Sequence, residues 1–600
     1  MRASKAFATV ENMTELNSNI TPRAQLEKFA HQIDEARRKQ TAQGLPSISL
    51  ALAYMDWVAH LGASPGYQLL RQYDAWENLS QTLEKNMSLA VNPLQSDLPD
   101  SDPRFKHAAW TQWPFHTFKN NFKNFEKWWQ PCAHIEGMQP HHQHLINFFA
   151  RQSVDALSPS NTPFTNPEVL NEGLSSLGMT WAKGWQHFIQ DQQQLHQKKT
   201  HQDSAEIPEL PYTVGKDVAI TPGKVIFRNS LIELIQYTPT TTDVQAEPLL
   251  IVPSCIMKYY ILDLSPHNSM VRYLVSQGFS VFMISWRNPD ADMREFGLDD
   301  YVMQGVIEAL SAIRQNTQAA HVHTMGYCLG GTFLAIAAAW LAKEPSPKST
   351  VPAIASVTLL AAQTDFSEPG ELGVFIDPDQ LKSLREEMMR TGYLSGQQMA
   401  DAFRFLNARD LIWSRMTQRY LLGKDEIGND MMSWNADHTR LPERMHNEYL
   451  TQLFLNNALA EGHFRMNNAP VALINIEAPM MVIGTERDHV SPWRSVYKIH
   501  LHTHTDITFV LASGGHNAGI VSEPGHPHRH FQLGHTSKDF GWTAPDDWAQ
   551  STVRTEGSWW PAWSDWLKQN SSHTVAARVP SEKNSLCDAP GEYVMTRYAN

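Results

Sequence analysis

Only four cysteines occur in 600 residues, Cys132, Cys255, Cys328 and Cys587, and no two form a CxxC pair or a ladder of close spacings. A disulfide scaffold is therefore not expected. Long hydrophobic runs are missing as well, since the most apolar helix-like stretch, "FLAIAAAWLA", is far too short to cross a bilayer. The opening "MRASKAFATVENMTELNSNI" has a basic flank with no apolar run behind it, which does not read as a secretory signal. There is no surplus of positive charge, and the formal net charge of -13 gives no support to a nucleic-acid or anionic-membrane partner. No Walker-type or dinucleotide glycine fingerprint is present, so no separately bound nucleotide cofactor is expected. Internal repeats are also lacking. These absences together describe a cytoplasmic chain without a transmembrane segment.

What is present is a globular composition, 42% hydrophobic and 18% charged, in a chain long enough for at least two structural units. Residues 1–200 are rich in Gln, His, Asn and Trp, and "GYQLLRQYDAWENLSQTLEKNMSLAV" carries apolar residues at helical intervals, which predicts a mostly α-helical N-terminal domain. The polar "QDQQQLHQKKTHQDSAEIPEL" reads as a linker or a solvated helix end. From 201 to 575 the rhythm changes. "KVIFRNSLIELIQY" alternates like a hairpin, and "PLLIVPS", "FSVFMIS", "VHTMGY" and "SVTLLAA" are short apolar runs typical of buried parallel strands. Helices fall between them: in "DDYVMQGVIEALSAIRQ", Asp299 or Asp300 can cap the start, with Val302, Val306, Leu310 and Ile313 on one face. The alternation stops over 366–470, which predicts a helical cap insertion, and two further strands follow in "PMMVIGT" and "DITFVLAS". Residues 576–600 read as a C-terminal tail.

"VHTMGYCLGGTF" places Gly326-Tyr327-Cys328-Leu329-Gly330 between an apolar strand and an Ala-rich helix, the strand–turn–helix setting of a nucleophile elbow with cysteine for serine. An α/β-hydrolase fold runs nucleophile, acid, base, with acid and base on loops after late strands. Asp488 follows "PMMVIGT" and His516 follows "DITFVLAS", so Cys328, Asp488 and His516 form the candidate triad. His516 is the expected base and Asp488 its orienting partner. The backbone N–H of Leu329 and those of Cys255 or Ile256, in the loop after an earlier strand, are the expected oxyanion donors.

The thiol narrows the chemistry. Acyl transfer from a coenzyme A thioester to cysteine exchanges one thioester for another and is nearly balanced, so the acyl-enzyme stays activated. An alcohol that attacks it forms the more stable oxygen ester, which drives the sequence forward.

"KYYILDL", "SWRNPD", "GYCLGGT", "WNADHTRLP", "DHVSPW", "SGGHNAG" and "GSWWPAW" follow one another in the order seen in the polyhydroxyalkanoate synthases, which the sequence resembles from Phe105 to the C-terminal "PGEYV". The resemblance implies polymerisation of (R)-3-hydroxyacyl-CoA into polyester, with Cys328 holding the acyl group and growing chain, His516 as base, and Asp488 as its partner or as an activator of the incoming 3-hydroxyl. It also implies a homodimer, a mobile cap, a polyester granule surface, and coenzyme A present only as part of the substrate. Tyr259, Trp434 and Arg287 lie in the matched motifs and are the expected substrate contacts, with Lys258, Arg287 and Arg494 as candidates for the coenzyme A phosphates. Met257 and Ser254 depart from the family's usual Asn and Pro beside the oxyanion loop, and "GHPHRHFQ" is also unusual.

"HLHTH" and "GHPHRH" alternate histidines as a zinc-binding strand can, but no Cys or carboxylate set completes either, so they read as solvated and no metal is expected. Trp559, Trp563 and Trp566 recur at helical spacing, as a core-facing helix requires. Two other readings stay open: a cysteine-dependent hydrolase or thioesterase, and an inactive scaffold on the granule.

Overall fold

Short runs of Val, Ile, Leu and Met become the strands of one eleven-stranded sheet in the computed structural model, which describes residues 47–91, 100, 102–200, 211–343, 350–406, 409–425, 428–583 and 585–597. In chain order the strands are β1 (Gly223–Arg228), β2 (Ile232–Tyr237), β3 (Leu249–Val252), β4 (Val281–Trp286), β5 (His321–Tyr327), β6 (Ala353–Leu360), β7 (Met480–Thr485), β8 (Ile507–Ala512), β9 (His530–Thr536), β10 (Arg554–Glu556) and β11 (Cys587–Asp588). Their spatial order is β10-β9-β8-β7-β6-β5-β3-β4-β2-β1-β11. The stretch from β4 to β8 is parallel, and both flanks are antiparallel. This is the expected α/β-hydrolase arrangement. β3, β4, β7 and β8 are buried along their whole length because helices cover both faces, which is why they are continuous apolar runs rather than alternating ones.

The crossover helix between β4 and β5 buries Val302, Val306, Leu310 and Ile313 completely, as its spacing predicts. Its start differs. Gly297 is the N-cap, and Asp300, already inside the first turn, reaches back to the Gly297 N–H at 2.8 Å. The aromatic helix Trp560–Gln569 packs onto the sheet: Trp559 and Trp563 are buried, and the Trp563 indole N–H bonds to Thr358 Oγ1 of β6 at 3.0 Å.

Between β6 and β7 the chain leaves the sheet and forms helices Pro378–Thr391, Gly396–Leu406, Asp430–Ala436 and Glu443–Glu448, with π-helical turns at Tyr449–Leu455 and elsewhere. Before the sheet come helices Ser47–Ala63, Pro65–Val91, Phe115–Cys132, Pro140–Ala156, Pro167–Ser175 and Met179–Thr200. The last occupies the first half of the expected linker; residues 1–46 and 201–210 lie outside the described residues. The helical region is tied to the cap through Leu145 and Phe148 against Val374, through Arg151–Glu371 at 2.6 Å and through Arg419–Asp191 at 2.8 Å. Helix Pro65–Val91 forms where its pattern predicts, yet Leu69, Tyr73, Trp76, Leu83 and Met87 remain exposed.

The tail is not a separate appendage. Cys587 and Asp588 pair with Val225 and Lys224, so a boundary at 575 divides what the sheet joins.

Candidate active site

Cys328 sits between β5 and the helix Leu329–Lys343 with φ of 53°, a left-handed conformation that strains any residue with a side chain. Its neighbours show why the turn needs glycine. A Cβ on Gly330 would stand 2.3 Å from Val252 O and 2.4 Å from Pro253 O, and one on Gly326 would stand 2.4 Å from Gly331 Cα. The Cys328 N–H bonds to Leu360 O at 2.9 Å, which fixes the turn to β6. The sulfur thus lies at the positive end of a helix, partly buried.

His516 and Asp488 arrive on the loops after β8 and β7, two neighbouring strands. His516 Nδ1 meets Asp488 Oδ2 at 2.8 Å, and the imidazole also feels the charge of the Cys328 sulfur. Asp488 has no exposed side-chain surface. Its Oδ1 accepts the N–H groups of Val490 and Ser491 at 2.9 and 2.8 Å, and its Oδ2 also accepts from Thr485 Oγ1 at 3.2 Å. Burial alone pulls His516 down, but the Asp488 carboxylate, followed by the Cys328 sulfur, outweighs it and holds the imidazole well above its usual range. Tyr327 stacks beside His516 with ring centroids 5.6 Å apart and donates to Asn517 Oδ1 at 2.6 Å. The geometry can therefore keep a proton on His516 next to a nucleophilic sulfur.

The contact of Gly330 with Val252 and Pro253 seats the helix N-terminus against the loop after β3, where Cys255 and Ile256 lie. Leu329 opens the helix, so its N–H has no partner within the helix. The Ile256 N–H is engaged by Ser254 Oγ at 3.3 Å, whereas no acceptor holds that of Cys255 among the described residues. Of the two loop donors expected, Cys255 is thus the better placed. Its thiol is pushed well up by burial, with a further push from the charge of Cys328.

The expected substrate contacts are placed less simply. Trp434 is buried and donates its indole N–H to Lys258 O at 2.7 Å. Tyr259 is 2% exposed, its phenol against that of Tyr237, so in this conformation it is part of the core. Arg287 pairs with Asp290 at 2.6 Å. Of the other phosphate candidates, Lys258 is buried and Arg494 is paired with Asp546. Sequence reasoning missed Thr439, whose hydroxyl bonds to the carbonyls of Cys255 and Ile256, and Tyr449 of the cap, whose phenol is pushed well up by burial and then by the charge of Cys328. Thr439 lies in "WNADHTRLP", but Tyr449 carries no local signal; only the fold brings it within reach of the Cys328 charge, beside Phe366 and Phe454.

The alternating histidines correct their reading. His500 and His502 lie on a helical turn, not a strand, with His500 stacked on Tyr497 and His502 bonded to Asp365 at 2.9 Å. His526 and His530 pair with Glu523 and Glu486, so these rings are tied into contacts rather than merely solvated.

Family models for the poly-beta-hydroxybutyrate polymerase N-terminus match residues 101–274 and 28–66, and the model of the alpha/beta hydrolase fold matches 248–523. The chain is 38% identical over 524 residues to a poly(3-hydroxyalkanoate) polymerase of Methylorubrum extorquens, spanning 86% of this chain and 84% of that one. A poly(3-hydroxyalkanoate) polymerase subunit of Rhizobium meliloti is 35% identical over 88% of this chain and 84% of its own. The corresponding subunit of Cupriavidus necator is 32% identical over 94% and 93%.

Proposed function

Because the chain belongs to the poly-beta-hydroxybutyrate polymerase family, we propose that this acyltransferase joins (R)-3-hydroxyacyl units from coenzyme A thioesters into polyester through a thioester on Cys328. The observation that carries this reading is the strained Cys328 elbow facing the His516–Asp488 pair. In the first step the Cys328 sulfur attacks the thioester carbonyl, the carbonyl oxygen takes its charge toward the N–H groups of Leu329 and Cys255, and the carbon–sulfur bond to coenzyme A breaks. The departing thiolate takes the proton held on His516. In the second step the neutral imidazole accepts the proton of a 3-hydroxyl as that oxygen attacks the acyl-cysteine, which forms an oxygen ester and releases the Cys328 sulfur.

His516, not Asp488, is the base in this scheme. Both Asp488 oxygens are already engaged and its side chain is buried, so an incoming hydroxyl has no route to it without dismantling the pair. The aromatic wall of Phe366, Tyr449 and Phe454 favours an acyl acceptor over water, and with it the polymerase over the thioesterase. A homodimer, and attachment to the polyester granule, belong to the same reading, with the exposed apolar face of helix Pro65–Val91 as the surface that serves them.

The test is incubation of the protein with (R)-3-hydroxybutyryl-CoA, with free coenzyme A and the acyl product both followed and Cys328→Ala as control. Release with insoluble polyester is expected. Release of free hydroxy acid alone would assign a thioesterase, and equal behaviour of Cys328→Ala would assign a scaffold.

A further inference from the structure

Two ionisable residues buried in the catalytic domain find partners in the main chain of the C-terminal tail. Glu233 of β2 is fully buried, and its carboxylate accepts the N–H groups of Glu592 and Tyr593 at 2.9 and 3.0 Å as well as Arg228 at 2.5 Å. Lys258 is 3% exposed, and its ammonium donates to Val594 O at 3.0 Å and Thr596 O at 2.6 Å. The tail is shaped for this. Gly591 has φ of 85°, and a Cβ there would stand 2.3 Å from Glu233 Oε2. Val594 is buried, Tyr593 donates to Asn229 O at 2.6 Å, and β11 completes the sheet beside β1.

Lys258 lies three residues after Cys255. From the other side the cap's last segment grips the same loop: Thr439 bonds to the carbonyls of Cys255 and Ile256, Trp434 to that of Lys258, and Met257 bridges to His438. Tyr260 adds a bond to the buried Asp437 at 3.0 Å. The candidate oxyanion loop is therefore held between the cap and the tail.

We propose that residues 586–597 form a latch that sets the position of the Cys255 N–H, and that Lys258 is the positioning residue through which the latch acts. Covering a sheet edge would account for β11 alone. It does not account for the continuation past Gly591, where the chain turns in and sets the Val594 and Thr596 carbonyls on a lysine of the candidate oxyanion loop. An oxyanion donor acts only when aimed at the charge before it develops, so a small loop displacement costs rate without unfolding the domain. Burial pulls Lys258 down to about 8 against the opposing pull of the Asp437 carboxylate, and the tail carbonyls of Val594 and Thr596 take the hydrogen bonds of its ammonium.

The proposal rests on the acyl-transfer reading for its kinetic consequence but not for its structural one. Lys258→Met in the full chain, and a chain ending at Gly591, are compared with the parent by hydrogen exchange, by alkylation of Cys328 and by steady-state release of coenzyme A. Both variants are expected to raise exchange in residues 254–262 and leave residues 326–335 and the alkylation of Cys328 unchanged. They should lower kcat on the order of 100-fold at steady KM, as loss of an oxyanion donor does, and the two changes combined should cost no more than either alone. Unchanged exchange in 254–262 overturns the latch, and so does exchange that rises equally at the nucleophile elbow, which would mark general destabilisation. A parent protein that releases no coenzyme A would refute the acyl-transfer reading, and hydrogen exchange would still decide the latch.

Discussion

At the scale of single residues, the choice of thiol and the charge on the imidazole are the two quantities that matter. Cys328→Ser keeps the elbow but forms an oxygen ester in the first step, which removes the drive for the second. We expect one equivalent of coenzyme A per chain and then arrest, with the acyl-serine visible by intact mass; sustained turnover would show that the thiol's energetics are not limiting. Asp488→Asn removes the largest influence that raises His516 and should lower turnover on the order of 10,000-fold. A histidine whose folded pKa lies above 6.5 contributes stability that is fully present below pH 6.5 and is lost as pH rises through the folded value. In Asp488→Asn that loss should be smaller and be complete at lower pH, which urea midpoints measured across pH will reveal. The positions of the candidate triad are legible in the sequence because each member sits on a loop announced by its own apolar strand. Lys258, a candidate for the coenzyme A phosphates by residue type, is held by the carbonyls of Val594 and Thr596, 336 and 338 residues away, partners that no local pattern announces.

At the scale of elements, the helix after Cys328 and the loop after β3 are fitted backbone to backbone. Gly330→Ala places a methyl against two carbonyls that cannot rotate away, so either the loop or the helix must shift. We expect a loss of about 1–3 kcal/mol in urea denaturation. Turnover should fall by more than that stability change explains, because both proposed oxyanion donors sit at this contact. Strand β5 and the cap helix Glu443–Glu448 each bury a neutral histidine. His323 is bonded to Ser356 and Ser571, and His446 has no partner for Nδ1 among the described residues; burial lowers both to about 4. A histidine depressed in the folded state contributes stability above pH 6.5 that is lost as pH falls toward 4, about 3 kcal/mol for each ring. His446→Leu should flatten that acid limb, and an unchanged limb would show that the ring reaches solvent. The elements themselves were legible wherever burial imposed a period, as in β3 to β8. The N-cap at Gly297 was not, because Asp299 and Asp300 are equally good caps by residue type and only the path of the preceding loop chooses.

At the scale of the whole molecule, the helical N-terminal region keeps an apolar face toward solvent. Leu69, Tyr73 and Trp76 are 67%, 64% and 71% exposed and recur on one side of helix Pro65–Val91. If this face joins two copies, Tyr73→Glu with Trp76→Glu should shift sedimentation to the monomer while Cys328 remains alkylated at the parent rate; an unchanged dimer would place the contact elsewhere. The sequence by itself determined the parallel sheet, the order of Cys328, Asp488 and His516, and the helical character of the regions before the sheet and within the cap. These are local properties, fixed by burial period, turn chemistry and motif order. Only the tertiary structure decided which loop N–H lacks an acceptor among the described residues, that Tyr449 packs against Phe366 and Phe454, that Tyr259 belongs to the core, and that tail carbonyls meet Lys258. Each of those depends on the spacing of groups that are distant in the chain, and packing, not local preference, sets that spacing.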